Sequence, residues 1–391
     1  MRTKGKRTST GMGKSMLHSN SSPAPSYCSS SSYCAYLIAL VIIFVAAYLT
    51  IHGLDLLPDD ERDAPKNSSS SSSSSSTISI RTSSFVPAAP QYVDTGTVKF
   101  TWQQNLDMDV KGVIYLLHGC DYEPGVWWKS SKNCEKMCNG MPAELKIANT
   151  FVKSGYAIFS IGPSFSKCWA ANDRVFISEA AKTIYSKLNT TMSQTPLYAL
   201  GIGNGGVFLG NYVKSMVESF GLKFAAIALM NTGIWHNNFN RKHHPAVLFI
   251  CMNRNGNLCV HNDHTVDTLM SKGIKAKQVT VDPLTLTPTS FHQSDEDGLT
   301  EAESSTLYDV LHNNSYLWAH NSLLLVDPHQ PRNLDTLRDL AEMALPTAIP
   351  SKDDMMSKHS AVLQLLRIAW GFKETSYETS DSVIQWFEAH G

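Results

Sequence analysis

A serine that attacks a carbonyl needs a sharp turn to lift its hydroxyl clear of a sheet. This chain has the turn without the hydroxyl. Gly201-Ile202-Gly203-Asn204-Gly205 follows the G-x-S-x-G nucleophile-elbow pattern, with Gly203 in the serine position. An apolar strand at 197–200 leads in and a helix at 207–218 leads out. Glycine has no side chain, so nucleophilic acyl transfer has no route through this position. The other two members of a triad follow the nucleophile in the order acid, then histidine. After the strand that ends at 252 come Asn253, Arg254 and Asn255, none of them a carboxylate. Asn255 could orient a histidine but could not balance an imidazolium charge. Asp263 and Asp267 come later, on the following helix. His292 lies in the region where a histidine would follow the last core strand, and without a partner serine it reads as a loop histidine.

Other residues could do chemistry in different ways. His118-Gly119 has the form of a loop that donates an oxyanion-hole amide, and Asn204 follows the nucleophile position, where the second amide belongs. An oxyanion hole alone retains only part of an enzyme's catalysis. Cys120 borders that loop and is, with His292, a fallback catalytic residue. Ser160 and Ser164 stand near the end of a strand with no obvious base. Asp107-Met108-Asp109 and Asp295-Glu296-Asp297 have the letters of the D-x-D pair with which glycosyltransferases hold a metal–nucleotide. No apolar strand precedes the first, and the second is an acidic loop. Gly11-Met12-Gly13-Lys14-Ser15 has the end of a P-loop, but Thr8 stands where its first glycine belongs. No cofactor and no metal are expected.

The elements that would position these residues form a regular series. Apolar runs fall at 110–117, 157–161, 197–200, 224–230, 247–252 and 276–281, with helical patterns between them, as at 174–188 and 264–271. Near-continuous apolar strands alternating with helices predict an α/β fold with a mostly parallel sheet covered on both faces. Residues 283–360 break the rhythm. A helix at 300–312 and a run at 316–326 predict a mainly helical insertion near the C-terminus.

The 391 residues carry a net charge of −1, which excludes a basic nucleic-acid-binding role. The run 34–51 is uncharged, apolar and 18 residues long, with basic residues before it and Asp55, Asp59, Asp60 and Glu61 after it. Length and charge asymmetry predict a basic cytosolic tail at 1–32 and a transmembrane signal anchor at 33–54. A Ser/Pro-rich disordered stem at 55–95 follows, including the serine run 68–76, and then a lumenal domain at 96–391. The expected protein is single-pass and type II, in the ER or Golgi, with the membrane and an unknown small-molecule or protein ligand as partners. Cys120, Cys134, Cys138, Cys168, Cys251 and Cys259 form an even set, which favours disulfides over zinc in a lumen. Cys251 and Cys259 flank a turn and are close enough to pair, while the remaining pairing is open. Asn67, Asn189 and Asn313 head N-x-[ST] sequons.

Several of these residues together carry a family likeness: His118-Gly119-Cys120, Trp127-Trp128, Cys134-x-x-x-Cys138-x-Gly140-x-Pro142, Cys168-Trp169, the elbow at 201–206, Val281-Asp282-Pro283-Leu284, Thr287-Pro288 and Ala369-Trp370. Residues from about 98 to 391 resemble a little-characterised branch of α/β-hydrolase-like proteins known mainly from plants and algae. The resemblance implies an α/β-hydrolase-like sheet. It also implies a serine where this chain has Gly203, and a His-Glu pair where it has Lys373-Glu374. Gly203, Asn255 and Lys373 then mark a degenerate triad, and the implied protein acts by binding. An esterase with displaced residues and a lumenal glycosyltransferase are the alternatives.

Overall fold

The computed structural model describes residues 88–391 apart from 121, 135–136, 165–166, 237, 295–297 and 346–359. Among them, eight strands form one sheet: β1 (Gln91–Asp94), β2 (Lys99–Gln103), β3 (Gly112–Leu117), β4 (Tyr156–Ile161), β5 (Leu197–Ile202), β6 (Phe224–Met230), β7 (Ala246–Met252) and β8 (Ala276–Val281). Their order is β1-β2-β4-β3-β5-β6-β7-β8. β2 pairs antiparallel with both β1 and β4, and every pairing from β4 through β8 is parallel. The fold is therefore α/β with a mostly parallel sheet, as the alternation of apolar runs predicts.

Burial on both faces explains why the central strands read as continuous apolar runs. Val113, Tyr115 and Leu117 of β3 pack into one core, with α2 (Asp173–Lys187) and α3 (Asn204–Phe220). Ile114 and Leu116, between them in sequence, join a second core with α1 (Pro142–Lys153), Trp127 and Trp128. The last helix, α9 (Ser380–Glu388), closes that second face through Val383, Ile384 and Phe387. β1 is short and mostly half-exposed, so its sequence carried no strand signal, although it lies within the segment 55–95 expected as stem.

Between β8 and the C-terminal helix lies the insertion, which builds its own core. Its helices are α5 (Ser290–Ser294), α6 (Glu301–Asn313), α7 (Pro331–Ala344) and α8 (Ala361–Trp370), packed through Phe291, Leu307, Leu311, Leu337, Leu340 and Leu366. Thr300 and Glu303 form a capping box that fixes the start of α6. The run 316–326 is a tight antiparallel turn, with Leu317 bridged to Leu324.

The expectation that a single membrane span makes the bilayer a partner does not stand. Among the described residues no helix is long and apolar enough to cross a membrane. The run 33–54 on which it rested lies outside the described residues, as do the basic tail, most of the stem, Asn67 and residues 295–297.

Candidate functional site

The elbow is built in full. Gly203 ends the turn after β5 with φ 51° and ψ −118°, a conformation L-residues rarely adopt. Its N–H donates to the Met230 carbonyl at 2.9 Å, and its carbonyl accepts from the Val207 N–H at 2.9 Å, starting α3. The neighbouring glycines allow close approach. A Cβ at 205 would stand 2.6 Å from the His118 carbonyl oxygen and 2.7 Å from that of Leu117. A Cβ at 206 would lie 2.4 Å from Thr232 Cγ2, and one at 201 would lie 2.6 Å from Gly206 Cα. A Cβ at 203 would meet nothing within 4 Å. The turn thus points its nucleophile position into open space and has no atom to put there.

The loop after β3 is clamped beside this turn. Cys120 is disulfide-bonded to Cys168, and the Trp169 indole N–H donates to the His118 carbonyl at 2.9 Å. The Asn204 side-chain oxygen accepts from the Trp169 N–H at 2.7 Å. Trp169 therefore ties the His118–Gly119 loop to Asn204, and it is the brace the sequence did not reveal. The His118 ring is buried, and burial lowers its pKa to about 4. It is neutral at ordinary pH and donates through Nδ1 to the Gly119 carbonyl at 2.8 Å.

Asn255 and Lys373, expected at the two remaining triad positions, lie beside residues that are engaged in structural contacts. Asn255 precedes α4 (Gly256–Ser271), and its backbone turns the chain, accepting from the Cys259 N–H at 3.1 Å. Asn253 donates its side-chain amide to Asp282 at 2.7 Å. The Arg254 guanidinium stacks 3.7 Å from the Trp370 ring centroid and donates to the Leu324 carbonyl at 3.0 Å, while its N–H reaches the Gly371 carbonyl at 3.2 Å. Where a hydrolase acid would orient a histidine, this loop fastens the insertion. Loss of both side-chain contacts in Arg254→Ala is expected to destabilise the fold by about 2 kcal/mol in denaturant titrations, with Arg254→Lys restoring only part.

Lys373 is exposed, and the loop around it is sewn to the sheet by its neighbour. The Glu374 N–H reaches Met252 Sδ at 3.3 Å, and the Glu374 carbonyl accepts from the Asn231 side chain. The Glu374 carboxyl is buried against Glu144 of α1, and burial and that like charge push its pKa up to about 7. Glu144 escaped the sequence reading, although 144, 147, 148 and 151 lie on one apolar helix face, where a glutamate is out of place.

The fallback residues are engaged elsewhere. The disulfide leaves Cys120 no thiolate. His292 lies on α5 with Nδ1 bonded to the Leu299 carbonyl at 2.8 Å, within the insertion. Ser160 is buried and donates to the Leu116 carbonyl at 2.9 Å. Ser164 donates to the Asp173 carboxylate at 2.5 Å, and Asp173 also accepts from the Ser164 and Ala170 N–H groups, which makes it a loop anchor. Ser164 borders a cleft of about 280 Å³ beyond β4, shared with Lys99, Glu123 and Phe176. Asp107 and Asp109 precede β3, at the sheet edge opposite the elbow. Cys134 pairs with Cys138 and Cys251 with Cys259, so these six cysteines are all oxidised and none can bind zinc. Asn189 and Asn313 are exposed.

No protein-family model matches the chain, and no curated protein matches it in sequence. Solved structures similar to it include carboxyl esterase 2 from the mycorrhizal fungus Tuber melanosporum, at 12% identity over 51% of this chain and 78% of that one, TM-score 0.36. A thermostable esterase from Pseudomonas putida matches at 10% identity over 50% and 73%, TM-score 0.36. A predicted CIB-like hydrolase from Thermoplasma acidophilum matches at 12% identity over 54% and 95%, TM-score 0.34. Likeness at this level carries nothing about activity. The strand order, the antiparallel β2 and the strand–turn–helix at Gly203 are themselves those of the α/β-hydrolase fold.

Proposed function

We propose that this chain is a non-catalytic α/β-hydrolase-fold protein, which holds a ligand over its elbow where an enzyme of the same fold would cleave one. The observation that carries this reading is the open space at Gly203, bordered by an intact elbow and a braced oxyanion loop. On this reading the loop amides would receive a ligand's carbonyl oxygen, while no nucleophile stands at 203 to attack its carbon. Asn255 offers no carboxylate and Lys373 no imidazole. We further propose an oxidising compartment such as the secretory lumen. Three disulfides support it, because reducing compartments disfavour them.

Fluorophosphonate labelling of the full chain tests the reading, since these probes mark only activated serines. Wild-type protein is expected to show no more label than a heat-denatured control. Stoichiometric label, mapped to any serine, would overturn it.

A further inference from the structure

Two buried carboxyl groups join three parts of the molecule that meet beside the elbow. Glu144 of α1 is 4% exposed and accepts two bonds from neutral donors: Thr375 Oγ1 to Oε1 and Gln364 Nε2 to Oε2, each 2.7 Å. Gln364 lies on α8 of the insertion, and its side-chain oxygen accepts from the Ala143 N–H at 3.0 Å, so it is bonded twice to the start of α1. Glu374 is 8% exposed and accepts from the Thr375 N–H at 3.0 Å. Thr375 therefore touches both acids, one through its backbone and one through its hydroxyl.

We propose that Glu144 and Glu374 form an acid-closed latch, holding α8 and the loop 371–376 against α1 while the pair keeps a proton and loosening them when both acids ionise.

The charged surroundings are sparse. From α8, Arg367 Nη1 stands 3.9 Å from Glu374 Oε2, beyond good hydrogen-bond length. From the loop itself comes the exposed Lys373, and from α1 comes Glu144, a like charge. The strand ends offer only thioethers, Met252 Sδ to the Glu374 N–H and Met230 Sδ to the Ser376 N–H, each at 3.3 Å. Two ionised carboxylates in this space, with one guanidinium 3.9 Å from Glu374 to offset them, are unfavourable. Burial, then the Glu144 charge, raises the pKa of Glu374 to about 7, against the Thr375 N–H, Arg367 and Lys373. Burial raises Glu144 as well, against its bonds from Thr375 and Gln364.

The sign follows from a folded pKa above the unfolded value of 4.5. The folded state binds the proton more tightly, so the contribution of Glu374 is fully present below 4.5. It declines as pH rises and is gone above about 7. The loop so released borders the ends of β6 and β7 and carries Lys373, which makes that edge more open at neutral than at acid pH.

Hydrogen exchange of the full chain at about pH 5.5 and about pH 8, corrected for intrinsic exchange rates, reads the latch directly. Peptides spanning 361–376 are expected to be about tenfold better protected at the lower pH, while peptides from β5 change little. Glu374→Gln keeps the shape without the charge and should hold these peptides protected at both pH values. Equal protection of the wild type at the two pH values would overturn the latch, as would an undiminished pH difference in Glu374→Gln. If that variant does not fold, Glu144→Gln decides. It removes the like charge and should shrink the pH difference, and an unchanged difference there is equally fatal.

Discussion

Gly205→Ala is expected to destabilise the fold by about 3 kcal/mol or more, whereas Gly203→Ala, two residues earlier in the same turn, should cost only about 1–2 kcal/mol. The two glycines are there for different reasons. At 205 a methyl group would stand 2.6 Å from the His118 carbonyl oxygen, 2.7 Å from that of Leu117 and 2.8 Å from the Leu117 carbonyl carbon. All three are backbone atoms of β3 or of the loop leaving it, and Leu117 is held by its pairing with Gly201 of β5, so this backbone does not step aside freely. At 203 the methyl group meets open space, and the only penalty is the positive φ of 51°. Denaturant midpoints of the two variants measure the contrast. Equal costs would mean that the elbow is not packed against β3 as described. A cheap 203 and an expensive 205 would show an elbow kept intact around an empty nucleophile position.

Removing the Cys120–Cys168 disulfide should have the largest effect among the three bridges, about 4 kcal/mol for the double serine variant by the chain-entropy relation. It closes the longest loop, with a sequence separation of 48 against 8 for Cys251–Cys259 and 4 for Cys134–Cys138. It also holds the His118–Cys120 loop to Trp169, which in turn binds Asn204 and the His118 carbonyl. In thermal melts the loss should appear as a fall of about 10 °C, and the Cys251→Ser/Cys259→Ser variant should fall by less. The reverse ranking would show that the reduced chain keeps the first loop closed without its bridge.

Much of the sheet was legible because its central strands are buried on both faces and therefore read as apolar runs. β6 and β8 match the sequence reading to the residue. β1 escaped it because its positions are exposed or half-exposed, and β2 because polar Lys99, Thr101 and Gln103 interrupt its apolar signal although Thr101 and Gln103 are buried. The C-terminal helix did carry a signal, Val383, Ile384 and Phe387 on one face, in a segment given no element. At the site, the elbow was legible because its chemistry is local: a strand, four glycines within six residues and a helix. The rest was not, because its contacts are distant in sequence. Arg254 grips Leu324 and Trp370, Glu374 meets Met252 and Glu144, and Trp169 reaches back to His118. The Cys120–Cys168 pairing is hidden for the same reason, whereas the other two bridges are local in sequence.

Hydrolysis of a short p-nitrophenyl ester by the full chain, beside heat-denatured protein and Gly203→Ser, tests the central claim most directly. With no nucleophile at 203, and with Asn255 and Lys373 at the acid and histidine positions on the proposed reading, wild type and Gly203→Ser should both match the denatured control. Wild-type turnover about tenfold or more above that control would contradict the non-catalytic reading. A gain confined to Gly203→Ser would contradict the narrower claim that the base and its orienting group are missing along with the nucleophile.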